Sequence, residues 1–198
     1  DEIVLATTKK KEDDILCKIA KKKNIFFFRG SENDLVDRYY KAAVYFDAKI
    51  ILRLPADNPI PEPKEYDRLI KYHLTSKNDF SSNLCNFKKN GYPDGIGVEI
   101  FNFKALEKIW KSQKNKHFRE HVHLNFYDYD KKKAYSKFNF KLGTVMCPKN
   151  ISRPELILDV NYKKELIFIK KIYNFFKTKK DFSIKDVVKW YDSNYLIK

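Results

Sequence analysis

Cysteine, long apolar runs and low-complexity segments are scarce or absent in this sequence of 198 residues. No apolar run approaches the roughly 20 residues that a membrane-spanning helix needs, so we expect no membrane partner. The three cysteines, Cys17, Cys85 and Cys147, lie far apart, without the close spacing that is typical of a metal or redox pair. We therefore expect reduced, mostly buried thiols in a cytoplasmic protein.

Basic residues are plentiful instead, because 41 basic and 26 acidic residues give a net charge of +15. Such an excess can attract nucleic acid, anionic lipid or a small anionic substrate. The lysine runs lie at predicted element ends and in loops, and abundant Lys, Asn, Ile, Phe and Tyr are also typical of an AT-rich genome. Since no arginine-rich helix or aromatic-glycine RNA-binding motif is found, we expect no nucleic-acid partner.

Short apolar runs alternate with amphipathic segments along the chain. Strands are predicted at residues 3–6, 25–28, 49–54, 98–101, 137–146 and 156–160. Helices are predicted after Asp13 with Ile15, Leu16, Ile19 and Ala20 facing the core, after a Ser31–Asp34 capping box, and at residues 61–76, 103–112, 163–177 and 183–191. Strands and helices joined by short connections predict an α/β protein, a three-layer α/β/α sandwich with a mainly parallel sheet.

One acidic side chain follows directly after a predicted buried strand. The apolar run of residues 50–54 stops at Pro55, and Asp57 then precedes an Asn-Pro turn signal. Open α/β sheets bind ligands at the C-terminal ends of parallel strands, where a carboxylate can hold a divalent cation against phosphates. The alternative is that Asp57 only caps the turn, and this segment alone favours neither interpretation.

Five ordered blocks of the sequence resemble one enzyme family. They are FRGSENDLVDRYYKAA (residues 28–43), LPADNP (54–59), PDGIGVEIF (93–101), REHV (119–122) and the closing segment of residues 153–173. The blocks resemble the cytidylyltransferases of surface-polysaccharide synthesis, above all the spore-coat-polysaccharide type, with the enzymes that activate sialic acid and Kdo as more distant relatives. The resemblance covers nearly the whole chain.

The resemblance implies an enzyme that moves CMP from CTP to an acceptor oxygen and releases pyrophosphate, with Mg²⁺ bridging the phosphates. It implies one nucleotidyltransferase domain over residues 1–198 that lacks the family's N-terminal βα unit and its phosphate-binding loop. It also implies an excursion at residues 94–147 for acceptor binding and dimer contacts, and therefore a homodimer. The anionic acceptor would be an acidic sugar, a sugar phosphate or another phosphorylated metabolite such as phosphoglutamine.

The metal ligands are assigned by the same resemblance. Asp57 matches the family's metal aspartate, and Asp159 and Asn161 are candidates for the second ligand. Asn161 stands where the family usually has an aspartate, whereas Asp159 lies two residues earlier and would point to the same face of a strand. In the alternative interpretation, which stays open, Asn161 is only the cap of the following helix.

The substrate contacts are assigned in two groups. Arg29, Ser31, Arg38 and Ala56 are candidates for contacts with CTP, and a salt bridge from Arg38 to Asp34 is the alternative role of that arginine. The acceptor contacts are expected from Asp94, Glu99, Arg119 and His121. Gly97 departs from the family's usual aspartate, so the acceptor does not follow by analogy.

Two other classes of function remain open at this point. A metal-dependent glycosyltransferase that uses a nucleotide sugar would also need Asp57 to hold the cation of its donor. A non-catalytic basic binding module would use the positive charge alone. A zinc site at His121 and His123 is not expected, because further ligands at suitable spacing are missing.

Overall fold

The computed structural model describes residues 1–85, 87–135, 137–179 and 181–196. These residues form two compact units. The first unit combines Asp1–Ile51 with Phe101–Phe140, and the second combines Leu52–Ile100 with Lys141–Lys198. The predicted excursion of residues 94–147 thus includes a segment that returns to the first unit. The single domain over residues 1–198 stays a prediction.

The helices and strands of the described residues are short and mixed in order. They are β1 (Val4–Thr8), α1 (Asp14–Lys22), β2 (Phe26–Gly30), α2 (Leu35–Tyr45), β3 (Ile50–Arg53), α3 (Pro63–Ser76), β4 (Phe80–Ser82), β5 (Glu99–Asn102), α4 (Phe103–Ser112), α5 (Lys116–Glu120), β6 (Tyr127–Asp128), β7 (Lys133–Ala134), β8 (Leu142–Gly143), α6 (Lys163–Phe175) and α7 (Ile184–Tyr191). Single 3₁₀ turns at Lys11–Asp13, Phe87–Lys89 and Val122–Asn125 join some of them, and a π-helical turn at Asp192–Leu196 follows α7.

The first unit is built on a βαβ crossover. Strands β1 and β2 pair in parallel, from Val4 opposite Phe26 to Thr8 opposite Gly30, with α1 as the connection. Helices α2 and α4 pack together, and each buries small and branched side chains. These are Val36, Ala42 and Ala43 on α2 and Ala105, Leu106 and Ile109 on α4. The predicted strand–helix–strand order at the start of the chain is confirmed.

The predicted orientation of α1 is wrong for three of its four apolar residues. Ile15, Leu16 and Ile19 are 57%, 40% and 50% exposed, whereas Ala20 is buried together with Cys17. Because Cys17 and Ala20 are small, their face of the helix can approach β1 and β2 closely. Within the described ranges, no element covers the face that carries the larger side chains.

The second unit has its core beneath α3, α6 and α7. Its four-stranded sheet has the order β3-β5-β4-β8, in which β4 and β8 are parallel. The main cluster of buried side chains consists of Ile60, Tyr92, Ile96, Ile151, Leu156, Leu158, Ile169, Ile172, Ile184, Val187 and Val188. A smaller cluster joins Leu69 of α3 to Val98 and Ile100. Burying each large side chain contributes roughly 1.5–3 kcal/mol, so these clusters fix the loops that carry polar side chains.

The predicted strands change most in the second half of the chain. Residues 156–160 make only one parallel bridge, Asp94 to Ile157, instead of a strand. Leu156 and Leu158 are buried and Ile157 is exposed, so the burial pattern is strand-like although the backbone pairs at one point only. The strand expected at 137–146 shortens to Leu142–Gly143, and β4 was not predicted because it spans just three residues.

The fold class is therefore mixed α/β with small sheets. Beside the parallel pairs, β6 and β7 form an antiparallel pair. The three-layer sandwich with a mainly parallel sheet stays a prediction. Among the residues that the structure describes, no helix has the length and apolar character needed to cross a membrane.

Candidate functional site

Three loops of the second unit bring carboxylates together. Asp57 lies in the turn after β3, where Asn58 N–H donates to Pro55 O at 3.3 Å. This turn is tied to the segment before α6, because Val160 N–H donates to Asp57 O at 2.9 Å. The buried side chain of Asn58 donates to Gly97 O at 3.1 Å, which ties the same turn to the third loop. These bonds hold the turn that carries Asp57, and none of them uses the Asp57 carboxylate.

The third loop places Asp94 against the segment that carries Asp159. Asp94 N–H donates to Leu156 O at 2.9 Å, and Leu158 N–H donates to Asp94 O at 3.0 Å. The next residue, Gly95, has φ +86°, and a Cβ there would lie 2.2 Å from Asp159 N. Only glycine accommodates both the left-handed backbone and this close approach. The structure therefore groups Asp94 with Asp57 and Asp159, although the sequence assigned it to the acceptor.

The carboxylates of these loops carry charge without a basic partner. Burial raises the pKa of Asp94 above its usual range, and the negative charges of Asp159 and then Asp57 raise it further. Asp159 Oδ1 is buried without a hydrogen-bond partner, while its Oδ2 accepts from Asn161 Nδ2 at 2.5 Å. Across the described residues, no lysine, arginine or histidine forms an ion pair with these three aspartates. The cluster is electrostatically suited to a cation.

The donor set fits a magnesium–nucleotide better than a resident metal. In the described part of the chain, no group of three or more His, Cys, Asp or Glu side chains is arranged to hold a metal ion. Mg²⁺ usually takes one or two protein carboxylates and completes its shell with water and phosphate oxygens. Asp57 and Asp159 would supply those two carboxylates, and Asp159 Oδ1 is a buried oxygen whose acceptor capacity no protein group uses.

Asn161 supports Asp159 rather than starting the helix. The residue that precedes α6 is Tyr162, whose N–H donates to Glu165 Oε2 at 2.6 Å. The interpretation of Asn161 as the helix cap is therefore wrong. Its amide instead holds one oxygen of Asp159, and its role as a metal ligand stays a prediction.

Two residues near the predicted acceptor pocket are closely packed. A Cβ on Gly97 would lie 2.6 Å from Asn83 O, so an aspartate does not fit at this position without a shift of the main chain. Glu99 is only 1% exposed and pairs with Arg53, with 2.5 Å between Arg53 Nη1 and Glu99 Oε2. An acceptor contact by Glu99 stays a prediction, and it would have to compete with this buried ion pair.

The residues predicted to contact the nucleotide lie in two places. Ala56 is exposed in the turn beside Asp57 in the second unit, and Ser31 and Arg38 flank the start of α2 in the first. Asp34 is the cap of α2, since its Oδ1 accepts from Asp37 N at 2.9 Å, so the capping box expected from Ser31 is wrong. Ser31 Oγ accepts from Asp34 N at 3.1 Å one turn earlier.

Arg38 carries a donor nitrogen without a partner, whereas all three guanidinium nitrogens of Arg29 form bonds. Arg38 Nη1 donates to Ser31 O at 3.1 Å, but its Nε is buried without a partner. Its stem packs over Gly30, where a Cβ would lie 2.7 Å from Arg38 Cγ. The alternative salt bridge from Arg38 to Asp34 does not form, because Asp34 Oδ2 accepts from Arg119 at 2.7 Å. Arg38 thus has a buried donor that no protein group satisfies.

Arg29 joins β2 to the loop after β1. Its Nε donates to Thr8 O at 2.8 Å, its Nη1 to Asp14 Oδ1 at 2.6 Å and its Nη2 to Lys10 O at 2.5 Å. All three nitrogens of the guanidinium are engaged within the first unit. A contact with CTP by Arg29 stays a prediction.

The predicted acceptor histidine lies at the end of α5. His121 is exposed, and its ring centroid is 4.9 Å from that of His117 and 5.9 Å from that of His123. The guanidinium of Arg119 donates to Asp34 and to the carbonyls of Trp110 and Gln113. Acceptor contacts by His121 and Arg119 stay predictions.

Comparisons with known proteins agree with the family resemblance of the five sequence blocks. The chain is 38% identical over 128 residues, or 65% of its length, to an uncharacterised protein of Methanocaldococcus jannaschii, and spans only 50% of that protein. It is 28% identical over 189 residues to spore coat polysaccharide biosynthesis protein SpsF of Bacillus subtilis, covering 95% of this chain and 73% of SpsF.

A solved structure is similar to this chain in its fold. A cytidylyltransferase from Leptospira borgpetersenii serovar Hardjo-bovis matches with a TM-score of 0.83 and 27% identity, over 96% of this chain and 76% of that chain. A profile of the cytidylyltransferases matches residues 1–193. The resemblance seen in the sequence is confirmed, and the chain belongs to the cytidylyltransferase family.

Proposed function

We propose that this protein transfers a cytidylyl group from CTP to an anionic acceptor and releases pyrophosphate. The observation that carries the proposal is the group of uncompensated carboxylates on the loops of Asp57, Asp94 and Asp159. A nucleoside triphosphate is rich in negative charge, so these carboxylates can bind it only through a cation. Family membership supports CTP as the nucleotide, and the carboxylates supply a reason for magnesium.

In this proposal Asp57 and Asp159 hold Mg²⁺ against the phosphates of CTP. The bound ion would neutralise charge on the phosphates and on the leaving pyrophosphate. Asn161 orients Asp159 through the bond to its Oδ2, and the main-chain bond from Val160 to Asp57 fixes the spacing of the two loops. Asp94 adds negative charge beside them and thereby raises the affinity of the site for a cation.

The acceptor is proposed to be a component of a surface polysaccharide or another surface glycoconjugate. The similarity to a spore coat polysaccharide biosynthesis protein supports this class of pathway. The net charge of +15 favours an anionic acceptor, such as an acidic sugar, a sugar phosphate or another phosphorylated metabolite of the phosphoglutamine type. A homodimer with acceptor contacts from residues 94–147 belongs to the same proposal.

The test measures pyrophosphate release by the full-length protein from CTP and Mg²⁺ with a panel of acidic and phosphorylated acceptors. Asp57→Asn should lower kcat/KM by about 100-fold or more, because it removes a charge that acts on the reacting phosphates. The matched control is Asp47→Asn, which changes an exposed aspartate paired with Lys49 on the surface and should leave the rate unchanged.

Two results would contradict the proposal. One is release of a nucleoside diphosphate from a nucleotide sugar without pyrophosphate release from any CTP mixture, which would favour the glycosyltransferase alternative. The other is an Asp57→Asn variant with the activity and ligand affinity of the parent, together with salt-sensitive binding of RNA or lipid, which would favour a basic binding module.

A further inference from the structure

The side chain of Arg119 connects three segments of the first unit. Its Nε donates to Asp34 Oδ2 at 2.7 Å, and its Nη1 donates to Trp110 O at 3.1 Å and Gln113 O at 3.0 Å. The ion pair is well covered, with side-chain exposures of 17% for Arg119 and 29% for Asp34. Three directed bonds fix the position of this guanidinium, so Arg119 serves to hold protein segments together rather than to contact a ligand.

Asp34 divides its two carboxylate oxygens between different tasks. Its Oδ1 accepts from Asp37 N at 2.9 Å and caps α2, while its Oδ2 holds Arg119. Its own N–H donates to Ser31 Oγ at 3.1 Å, and the carbonyl of Ser31 accepts from Arg38 Nη1. Any ligand that moves Arg38 or the Ser31 turn therefore acts on Asp34, and through Asp34 on Arg119.

Helix α5 and the residue after it carry exposed imidazoles. Arg119 belongs to α5, and the same short helix presents His117, while His121 follows its last residue. The rings of these histidines lie 4.9 Å apart on the exposed side of the segment. The position of both imidazoles thus depends on where Arg119 anchors α5.

We propose that the Asp34–Arg119 ion pair couples the nucleotide segment, residues 31–38, to the acceptor segment, residues 116–123, so that CTP orders the acceptor segment. Arg119 is then a positioning residue and makes no contact with the acceptor. The inference rests on the proposed function in two respects, namely that CTP is the ligand of residues 31–38 and that residues 116–123 face the acceptor. The physical basis is linkage, since a ligand that fixes one end of a connected network lowers the freedom of the other end.

Hydrogen exchange of the full-length protein with and without Mg²⁺ and CTP tests this coupling. CTP should slow amide exchange in residues 116–123 of the parent by about fivefold or more, which is the lower range of measured allosteric couplings. Arg119→Gln should still bind CTP in calorimetry but lose this protection. A purely structural role would instead raise exchange in the segment equally with and without CTP.

A second variant and a matched control complete the experiment. Asp34→Asn keeps an oxygen that can cap α2, because asparagine is a good N-cap, but removes the charge that holds Arg119. Asp34→Asn should lose the CTP-dependent protection. It therefore tests the coupling also in the case that Arg119→Gln does not fold. Arg153→Gln breaks the equivalent pair with Asp192, where Arg153 Nε lies 2.8 Å from Asp192 Oδ1, and should retain the protection.

The outcomes separate this inference from the proposed function. If the parent binds CTP but residues 116–123 exchange at the same rate with and without it, the coupling is wrong and the cytidylyl transfer is unaffected. If both Arg119→Gln and Asp34→Asn keep the protection, the ion pair is not its route and the inference is also wrong. If calorimetry detects no binding of CTP to the parent, the proposed function fails and the coupling fails with it.

Discussion

Two aspartates, one in each unit, lie in opposite electrostatic surroundings. In the first unit Asp13 accepts from the hydroxyls of Thr7 and Thr8 and from Thr8 N–H, and these bonds lower its pKa to about 2. In the second unit, burial and the neighbouring aspartates raise the pKa of Asp94. The first arrangement favours the charged carboxylate, whereas the second penalises it. Such penalties persist at functional sites, where a ligand removes them.

The same contrast holds for the arginines of the first unit and the aspartates of the second. Arg29 and Arg119 each form three hydrogen bonds with protein groups, so their removal should weaken the fold. The three aspartates have no basic partner among the described residues, so their removal should weaken binding and leave the fold intact or stronger. Sequence reasoning placed both sets in the site, and only their partners distinguish them.

The largest effect on stability is expected from a methyl group at Gly95. Gly95→Ala forces a left-handed backbone on an L side chain and places its Cβ 2.2 Å from Asp159 N, a main-chain atom that cannot move freely. We expect a loss of about 3 kcal/mol or more in the free energy of unfolding, measured by urea denaturation.

Gly30→Ala is the matched change in the first unit. Its Cβ would meet Arg38 Cγ at 2.7 Å, but the obstacle is a side chain that can rotate. The expected cost is about 1 kcal/mol, together with weaker CTP binding through the displaced Arg38. Equal losses for the two variants would contradict the view that the Asp94 loop depends on close main-chain approach.

The sequence predicted where the elements lie better than what they pack against. Helices at 61–76 and 103–112 agree with Pro63–Ser76 and Phe103–Ser112 within two residues, because their apolar spacing is a local property. The inward face of α1 and the strand at 156–160 depend on neighbours that are distant in the chain. Local periodicity shows that Leu156 and Leu158 are buried, but it does not show how many backbone bonds the segment makes.

The candidate site shows the same limit. Asp57 follows a strand and was predicted as a site residue from the sequence alone. Its grouping with Asp94 depends on bonds from residue 94 to residues 156 and 158, and from residue 57 to residue 160. Such long-range pairings are not encoded in a local motif. One signal was present, since Asp94 precedes Gly95 in a glycine-rich turn, and a glycine of this kind permits close main-chain approach.

Replacing each arginine by glutamine sharpens the comparison between structural and ligand-binding charge. Arg29→Gln removes the ion pair with Asp14 and two bonds to carbonyls, so it should cost about 1–2 kcal/mol, which allows for partial exposure. Arg38→Gln should cost about 0.5 kcal/mol or less and weaken CTP binding roughly tenfold. Urea denaturation and calorimetry measure the two quantities, and the reversed pattern would show that Arg29 is the nucleotide contact.

Asp94→Asn should stabilise the metal-free protein. Since the pKa of Asp94 in the folded state is raised above its ordinary value of 3.8, its folded form binds a proton more tightly than the unfolded chain. Its contribution to stability is full below pH 3.8 and is lost as the pH rises through the raised pKa, so the wild type carries the whole penalty at neutral pH.

In EDTA at pH 7 the thermal midpoint of Asp94→Asn should therefore exceed that of the parent, and the difference should vanish below pH 4. With Mg²⁺ and CTP present, the parent should gain more than the variant, because the bound cation offsets the repulsion only where the charge exists. A lower midpoint for the variant in EDTA would mean that Asp94 is a structural hydrogen-bond acceptor.

The smallest effect is expected at Asp13, with the opposite sign. Its lowered pKa means that the folded protein favours the carboxylate, so stability is present above pH 3.8 and is lost as the pH falls through about 2. Thr8→Val removes one donor to Asp13 and should lower the thermal midpoint at pH 6, with the deficit shrinking between pH 4 and pH 2. Thr75→Val is the control, because the Thr75 hydroxyl donates to the carbonyl of Lys71 and to no carboxylate. A deficit for Thr8→Val that stays constant with pH would show that the hydroxyl matters for packing alone, and the electrostatic contrast between Asp13 and Asp94 would then rest on Asp94 only.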